Sequence, residues 1–497
     1  MLLEKANQLL NENKLKEAEF HFKTILDSDP ENGEALFGLG RIALRLERYD
    51  AAVYLLQRAC ERLPHMLEPL HALADAFNGV HSPQDALTVL EYAKSIASHN
   101  PAPHYYLAQH YLTYGELDKA YSILKHALGM GNYPVTAYIL FELVQFGRFN
   151  NEQNYINELH QFLTLTNNLR LKMVCYYALG KSYDQLNDTE QAFNYFSLAN
   201  KLQTKLTQFK TRDLVPFYQR IIEQNTAELI DARDKTFTGT ITPIFIIGMP
   251  RSGSTLVEQM LASHDDFASL GEDASISNQV VAYLEQQTQL PYPDCLAELN
   301  QGLINNARNI YIERIKQAPV VRPFMINKLP ANYQSLGLIY LLFPNAKFIN
   351  MQREYDAIAW SVFSNYFAEN EPYFCSLPEF KQYFDLYQQL MEHWQSVMPE
   401  AVFDLSYEAL ISDSEQTLTA LCKFLNIEYS TQFLDFYKSK KPVATLSKTA
   451  VRQPLSDKAL EKYKRYESAM HTLMRESQTS STSQQTDQNA PVGEWAY

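Results

Sequence analysis

The sequence has few cysteines and no long apolar run. Its five cysteines are scattered, without the close pairing that is typical of a zinc site or a redox motif, so we expect buried free thiols. No stretch of about 18 or more apolar residues occurs, and no membrane span is predicted. Acidic and amide residues occupy the N-terminus, where a signal peptide would have an apolar core, and we expect a cytoplasmic protein.

Positive charge is also scarce. The 43 lysines and arginines are outnumbered by 57 aspartates and glutamates, which gives a formal net charge of −14. Because a nonspecific nucleic-acid binder needs a basic face, this composition argues against nucleic acid as a partner and restricts any anion site to a local cluster. A chain of 497 residues is too long for one hydrophobic core, and two or more domains are expected.

Small residues recur in the first half of the chain at a spacing of 34 residues. Two series with this spacing are Ala18, Ala52, Ala86 and Ala120, and, twelve residues ahead of each, Ala6, Gly40, Ala74 and Ala108. The period resembles that of tetratricopeptide repeats, in which the two helices of each unit cross closely at small residues. Residues 180–199 continue the pattern after a degenerate unit, which predicts about six repeats that end near residue 206.

Stacked repeats form a curved solenoid, because no repeat can bury its apolar face alone. The groove of such a solenoid is available to a peptide or to a neighbouring domain, and we predict a protein or peptide partner there. The predicted parts of the chain are the repeat solenoid (residues 1–206), a helical connector (207–240), a second domain (241–475) and a polar, disordered tail (476–497).

The second half opens with an apolar run, Ile244–Ile247, that ends in a glycine-rich loop and is followed by a helical pattern, PIFIIGMPRSGST and onward. Gly248 and Gly253 keep the glycine spacing of the phosphate-binding loop of nucleotide hydrolases, but Ser254 occupies the position of its lysine. Backbone N–H groups and the helix dipole favour an anion at such a loop, and Arg251 adds a full positive charge. The segment predicts a phosphate-binding site.

Short apolar runs then alternate with helical patterns. The candidate strands are Ile244–Ile247, Phe324–Ile326, Phe348–Met351 and Val402–Leu405. Helical stretches at 333–343 and 414–425 fit as crossovers and predict a parallel sheet covered by helices on both faces. Because ligands bind at the carboxyl ends of such strands, the polar residues that follow them are expected to converge on one cleft. These residues are Arg251–Thr255, Asn327 and Lys328, Gln352 and Arg353, and Ser406 and Tyr407.

Several motifs of this half belong to one family pattern. The string PRSGST, the pairs Gly271-Glu272 and Asn327-Lys328, and Arg353 with Ser361 eight residues later resemble the sulfotransferases that use 3′-phosphoadenosine 5′-phosphosulfate (PAPS). The chain looks like the tyrosylprotein sulfotransferases and the bacterial repeat-bearing sulfotransferases. The resemblance implies an all-α tetratricopeptide solenoid followed by a P-loop-like α/β sulfotransferase domain over residues 241–475. It also implies sulfuryl transfer to a hydroxyl of a protein tyrosine, a carbohydrate or a small metabolite.

The resemblance assigns roles to individual residues. The residues implied to bind PAPS are Arg251, Ser252, Gly253, Ser254, Thr255, Arg353, Ser361, Tyr407 and Lys462. Glu272 is the implied general base for the acceptor hydroxyl, while Arg251, Lys328 and Ser447 are implied to stabilise the leaving phosphate oxygen. No metal is implied, because the sulfuryl group bears less negative charge than a transferred phosphoryl group.

Three positions depart from the family pattern, and two other functions stay open. Asn327 replaces a frequent aspartate of the bacterial enzymes, although the tyrosylprotein enzymes also show asparagine there. Glu354 follows Arg353 where the family commonly has an aspartate, and Ala450 stands where a glutamine is usual. One alternative is a nucleotide kinase or NTPase of the P-loop type, which lacks the loop lysine here and for which Asp404 is a candidate magnesium ligand. The other is a non-enzymatic tetratricopeptide scaffold with an inactive sulfotransferase-like domain.

Overall fold

The structure, a computed structural model, describes residues 2–131, 133–146, 155–207, 209–232, 234, 237, 239–367, 372–438 and 450–475. In the described part its first half contains twelve helices, of which ten pack closely as five consecutive pairs. They are α1 (Leu2–Asn11), α2 (Leu15–Ser28), α3 (Gly33–Arg45), α4 (Tyr49–Arg62), α5 (Leu67–Gly79), α6 (Pro83–Ile96), α7 (Pro101–Thr113), α8 (Leu117–Leu128), α9 (Thr136–Gln145), α10 (Ile156–Leu165), α11 (Leu169–Gln185) and α12 (Thr189–Thr207). The predicted helical repeat array is confirmed. The tail from residue 476, predicted to be disordered, lies outside the described residues.

The recurring small residues lie where paired helices cross. Ala18 is fully buried. A Cβ on Gly40 would lie 2.6 Å from the Leu56 side chain, and one on Gly180 would lie 2.6 Å from Phe196. These distances leave no room for a larger side chain. This explains why alanine and glycine occupy the positions that repeat every 34 residues.

The turn between the two helices places a residue in the left-handed conformation in five of the pairs, namely α1/α2, α3/α4, α5/α6, α7/α8 and α11/α12. These residues are Asn13 (φ 59°), Glu47 (φ 53°), His81 (φ 58°), Gly115 (φ 78°) and Asn187 (φ 60°). We call them the turn edge of the array. Part of this edge lies against the second half of the chain: Arg465 Nη1 donates to Asn187 Oδ1 at 2.8 Å, and a Cβ on Gly115 would lie 3.2 Å from the Arg452 guanidinium carbon.

Two helices, α13 (Val215–Gln224) and α14 (Ala227–Asp231), connect the array to the sheet. Tyr218 on α13 is buried, and its hydroxyl lies 2.6 Å from that of Tyr333. The His393 ring Nε2 lies 2.9 Å from the carbonyl oxygen of Asn225, the residue that follows α13. The connecting helices therefore pack onto the second half of the chain.

The described residues of the second half form one sheet of five parallel strands. The strands are β1 (Thr242–Gly248), β2 (Phe267–Ser269), β3 (Phe324–Asn327), β4 (Lys347–Gln352) and β5 (Val402–Ser406), in the order β2-β3-β1-β4-β5. Four of them were predicted, and β2 was missed because it is three residues long. The chain passes to one side of β1 for β2 and β3 and to the other for β4 and β5. The carboxyl end of β1 is therefore the switch point at which ligands bind in open α/β sheets.

Helices cover both faces of the sheet, as predicted. They are α15 (Ser254–Ala262), α16 (Ala282–Thr288), α17 (Gln301–Lys316), α18 (Leu336–Leu342), α19 (Tyr355–Phe363), α20 (Leu377–Val397), α21 (Tyr407–Ser412), α22 (Ser414–Leu425) and α23 (Lys458–Glu461), and residues 467–475 are also helical. Ile244 and Ile246 pack with α15, α21 and α22, whereas Phe245 and Ile247 pack with α17, α18 and α20. This alternation follows from the opposite directions of successive side chains in a strand.

Shorter helical segments join these elements. The 3-10 segments are Thr211–Leu214, Asp294–Glu298, Pro330–Ser335, Pro372–Cys375, Thr431–Lys438, Ala450–Arg452 and Lys464–Tyr466, and Ile276–Val281 forms a π-helix. The predicted helix at 414–425 is present as α22. The one predicted at 333–343 is divided between the 3-10 segment Pro330–Ser335 and α18.

The cysteines of the described chain are free thiols, and all but Cys60 are buried. No helix within the described ranges is long and apolar enough to cross a membrane.

Candidate active site

Two glycines shape the loop that follows β1. Gly248 has a φ of 137°, and a Cβ there would lie 2.7 Å from the Met351 carbonyl oxygen on β4. Gly253 has a φ of 105°, and a Cβ there would lie 2.5 Å from the Tyr407 ring. α15 begins directly after this glycine, at Ser254. Backbone N–H groups at the start of a helix and the helix dipole favour an anion at this place.

Three hydroxyl residues of the loop are buried, namely Ser252, Ser254 and Thr255. Ser252 Oγ has no hydrogen-bond partner among the described residues. A buried hydroxyl without a partner costs about 1–3 kcal/mol, and a bound acceptor atom would remove that cost. The loop therefore fits a ligand with phosphate oxygens.

Two arginines converge beside this loop. Arg251, with a left-handed φ of 70°, donates from Nε to Ser361 Oγ at 3.0 Å. Arg353 Nη1 donates to the Arg251 carbonyl oxygen at 2.9 Å, and its guanidinium lies 4.4 Å from the centre of the Tyr407 ring. Burial and the neighbouring charge of Arg353 lower the pKa of Arg251 to about 10. Four of the predicted donor-binding residues thus lie together, and the like charges of the arginines make the place electropositive.

A second group of charges surrounds Lys328, which follows β3 and is buried. Its ammonium contacts Glu272 Oε1 and lies 3.8 Å from Glu258 Oε2 on α15. Burial raises the pKa of Glu258, although Lys328 opposes this shift, and Ser269 Oγ donates to its other oxygen at 2.6 Å. The side chain of Glu272 is 47% exposed, so this carboxylate, unlike that of Glu258, is accessible to a substrate.

The loop that carries Glu272 is fixed at its next residues. Asp273 accepts from Arg314 Nε at 2.6 Å, and its carbonyl oxygen accepts from Asn327 Nδ2 at 3.0 Å. The Ala274 N–H donates to Glu47 Oε2, on the turn edge of the array, at 2.9 Å. Burial raises the pKa of Glu47. Both the sheet and the repeat array therefore hold the segment next to Glu272.

The two groups lie at one edge of the sheet. Arg251 follows β1, Lys328 follows β3 and Arg353 follows β4, and β1 is the strand between β3 and β4. The residues predicted after neighbouring strands are therefore located around the switch point. Asp404, on β5, has its carboxylate oxygens hydrogen-bonded by the side-chain amides of Asn350 and Gln395.

The remaining predicted residues are located differently. Lys462 Nζ lies 3.0 Å from Asp184 Oδ2 on α11, so this lysine faces the repeat array. Ser447 lies outside the described residues. At the departure from the family pattern, the Glu354 backbone N–H donates to Glu408 at 3.1 Å, and its carboxylate accepts from the Tyr463 hydroxyl at 2.5 Å.

Sequence reasoning missed two acidic residues of this region. Glu258 interrupts the apolar segment LVEQML, and this polar residue in a buried helix is a signal that could have been used. Glu47 carries no such signal, because it lies 227 residues before its partner Ala274.

Family models match both halves of the chain. Residues 243–431 match the sulfotransferase family, and residues 3–66 match a tetratricopeptide repeat model.

Individual proteins are similar over parts of the chain. An uncharacterized protein of Aquifex aeolicus is 30% identical over 299 residues, which cover 59% of this chain and 39% of that protein. Protein-tyrosine sulfotransferase 1 of Rattus norvegicus is 33% identical over 138 residues, which cover 26% of this chain and 37% of the rat protein. The chain thus spans well under half of the length of these relatives.

Among solved structures, the sulfotransferase domain of the Synechococcus PCC 7002 olefin synthase is similar with a TM-score of 0.33 and 21% identity, over 47% of this chain and 90% of that domain. With the helical array, the parallel sheet and both family matches described, the chain contains a tetratricopeptide repeat region followed by a domain that matches the sulfotransferase family.

Proposed function

We propose that this chain transfers a sulfuryl group from PAPS to a hydroxyl of an acceptor, which is a protein tyrosine, a carbohydrate or a small metabolite. The proposal rests on one observation above all. The guanidinium groups of Arg251 and Arg353 meet Ser361 beside a glycine-shaped loop, at the sheet edge that also carries Lys328 and Glu272.

The residues suit a donor with two anionic ends. Gly253 and the start of α15 provide N–H groups and a helix dipole for one anion. Arg353 is suited to bind a second phosphate with two parallel hydrogen bonds, and Ser361 adds a hydroxyl donor. The partnerless Ser252 hydroxyl is explained by the same ligand.

The charged residues suggest separate catalytic roles. PAPS, when bound, supplies the electrophilic sulfuryl group. Glu272 accepts the proton of the acceptor hydroxyl as the new O–S bond forms, because it is the accessible carboxylate of the pair beside Lys328. Lys328 and Arg251 offset the negative charge that develops on the leaving phosphate oxygen, and Ser447 is assigned a further hydroxyl donor role there. These residues need no metal ion for their roles.

We further propose that the repeat array binds a protein or peptide partner in its groove, which is the general use of such solenoids. The cytoplasmic location stays a prediction from the sequence.

A binding experiment tests the donor assignment. Titration calorimetry with 3′,5′-adenosine bisphosphate, the desulfated donor, is compared with ATP and magnesium in the wild type and in Arg353→Ala. The bisphosphate is expected to bind the wild type, and the variant is expected to lose most of this affinity. Arg212→Ala is the matched control, because the Arg212 side chain is 81% exposed and belongs to the connecting segment.

Tighter binding of ATP with magnesium than of the bisphosphate would contradict the proposal and favour a P-loop kinase or NTPase. Binding of neither nucleotide would favour the non-enzymatic scaffold.

A further inference from the structure

The last helix pair of the repeat array packs against the helix that carries Ser361. Asn200 Nδ2, on α12, donates to the Phe363 carbonyl oxygen at the end of α19 at 2.8 Å. The Phe196 ring packs edge-on to Trp360 with 5.5 Å between ring centres, and the Tyr466 ring stacks on Trp360 with 3.7 Å between ring centres. The array thus packs against α19, and its contact residue Trp360 directly precedes Ser361.

Helix α11 of the same pair presents a charged cluster to this junction. Asp184 accepts a hydrogen bond from the Tyr466 hydroxyl at 2.6 Å, pairs with Arg465, and lies 3.0 Å from Lys462 Nζ. Its single negative charge therefore already faces two cations.

Lys181 lies one helical turn before Asp184 on the same face of α11. It is partly buried, and within the described ranges it forms neither an ion pair nor a hydrogen bond of its own through its ammonium. Burial, and then the charge of Lys462, lower the pKa of Lys181 to about 7; Asp184 opposes the shift, and Arg251 adds to it. Lys181 is therefore an electrostatic neighbour of the arginine in the phosphate-binding loop.

Around Lys181 the neighbouring cations outnumber the acidic groups, in a chain whose net charge is −14. The charges of Lys462 and Arg251 both act on Lys181, and Asp184 is the acidic group that acts on it. Keeping an unpaired ammonium among like charges is unfavourable in the free protein, and a bound anion would reverse the sign of that interaction.

We propose that Lys181, a residue of the repeat array, binds an anionic group of the nucleotide donor together with Arg251 and Ser361, so that the donor site is shared by the two domains. The inference rests on the proposed function, since it takes the donor to be a bisphosphorylated nucleotide. It adds a binding residue that lies outside the sulfotransferase family match at 243–431.

The test uses the full-length chain and 3′,5′-adenosine bisphosphate. Lys181→Met is expected to weaken binding by about tenfold to a hundredfold, which is the usual loss for one charge-assisted contact to a phosphate. Lys201→Met on the neighbouring α12 is the control, because Lys201 is exposed, and it is expected to leave the affinity unchanged.

A second measurement determines whether Lys181 gains a proton when the bisphosphate binds. The method is calorimetry at about pH 8 in two buffers of different ionisation enthalpy. On binding, the wild type is expected to take up about one more proton than Lys181→Arg. The reason is that the bound anion favours the charged form of the lysine, whereas arginine is always charged.

The possible outcomes distinguish a failure of the proposed donor from a failure of the proposed role of Lys181. If the wild type does not bind the bisphosphate, the proposed donor is wrong. If the wild type binds it and Lys181→Met binds equally well, the donor stands and the role of Lys181 is overturned. If Lys181→Met loses binding but also unfolds several degrees lower without ligand, Lys181 is structural and the inference fails as well. The inference expects an unfolding temperature that is unchanged or higher, since the substitution removes repulsion.

Discussion

Glu47, in a turn of the second helix pair, accepts a hydrogen bond from the backbone N–H of Ala274, at 2.9 Å. Ala274 lies two residues after Glu272. A repeat residue thus touches the segment that carries the proposed base, although the two are 227 residues apart in the chain. The array contributes to the geometry of the candidate site as well as offering a groove for a partner.

The first prediction concerns this contact. Glu47→Ala is expected to lower turnover by about fivefold to tenfold, because one hydrogen bond to the Glu272 loop is worth about 1 kcal/mol, and to leave bisphosphate binding unchanged. Glu47→Gln keeps a side-chain oxygen acceptor and is expected to restore most of the activity. Asp50→Ala, an exposed acidic residue on α4, is the control. Equal losses in the alanine and glutamine variants would contradict a positioning role.

The second prediction concerns the base itself. Glu272→Gln is expected to reduce turnover by about a hundredfold or more, the usual contribution of a general base, while the bisphosphate still binds with nearly the wild-type affinity. Turnover is measured as transfer of radiolabelled sulfuryl from PAPS to whichever of a tyrosine peptide, an oligosaccharide and para-nitrophenol the wild type modifies. Retained turnover would remove Glu272 from the mechanism.

The third prediction concerns the loop backbone. Gly253→Ala is expected to destabilise the fold by about 1–3 kcal/mol, because alanine is strained at positive φ, and a Cβ there would lie 2.5 Å from Tyr407. Donor binding is expected to fall as well, since Tyr407 also stacks with Arg353. Gly129→Ala is the control, because Gly129 has a φ of −72° and a Cβ there would meet its closest neighbour at 3.4 Å. Urea unfolding and calorimetry measure the two effects, and similar stabilities of both variants would contradict the prediction.

The fourth prediction concerns pH. The pKa of Lys181 is lowered in the folded chain to about 7 from an ordinary value of 10.5, by burial, Lys462 and Arg251, against the effect of Asp184. Between these values the unfolded chain binds more protons than the folded one, so this lysine makes stability rise with pH over that window. Its unfavourable contribution is complete below about pH 7 and disappears near about pH 10.

Lys181→Met removes that contribution. The gain in unfolding free energy of the variant over the wild type is therefore expected to be larger at about pH 6.5 than at about pH 9.5, as measured by urea unfolding without ligand. Lys201→Met is expected to show no such dependence. A gain that grows toward high pH would show that the lysine is stabilised by its neighbours.

Much of the fold was predictable because local patterns determine it. The strand–loop–helix at β1 and the helix α22 follow from apolar runs with clear ends, and the repeat period follows from close helix crossings at residues such as Gly40. β2 was missed because three residues carry too little pattern. The predicted helix at 333–343 was partly wrong, because the chain from Pro330 to Ser335 forms a tighter 3-10 turn before α18.

The candidate site was predictable where it follows strand ends and not where it depends on domain docking. Arg251, Lys328 and Arg353 come directly after strands, so topology alone brings them to one edge. Glu47 and Lys181 come near that edge because the array packs against the second domain, and no spacing along the chain encodes this packing.

The contacts of the turn edge also limit how the number of repeat units can change. Solenoids gain and lose whole units readily when each unit contacts only its neighbours. Here the turns of separate units meet different partners: Glu47 meets Ala274, Gly115 meets Arg452 and Asn187 meets Arg465. Deleting or duplicating one unit of 34 residues would move every later turn away from its contact partner. Natural variants of this protein are therefore expected to keep the number of units between Glu47 and Asn187 constant, and to tolerate added units only before Glu47.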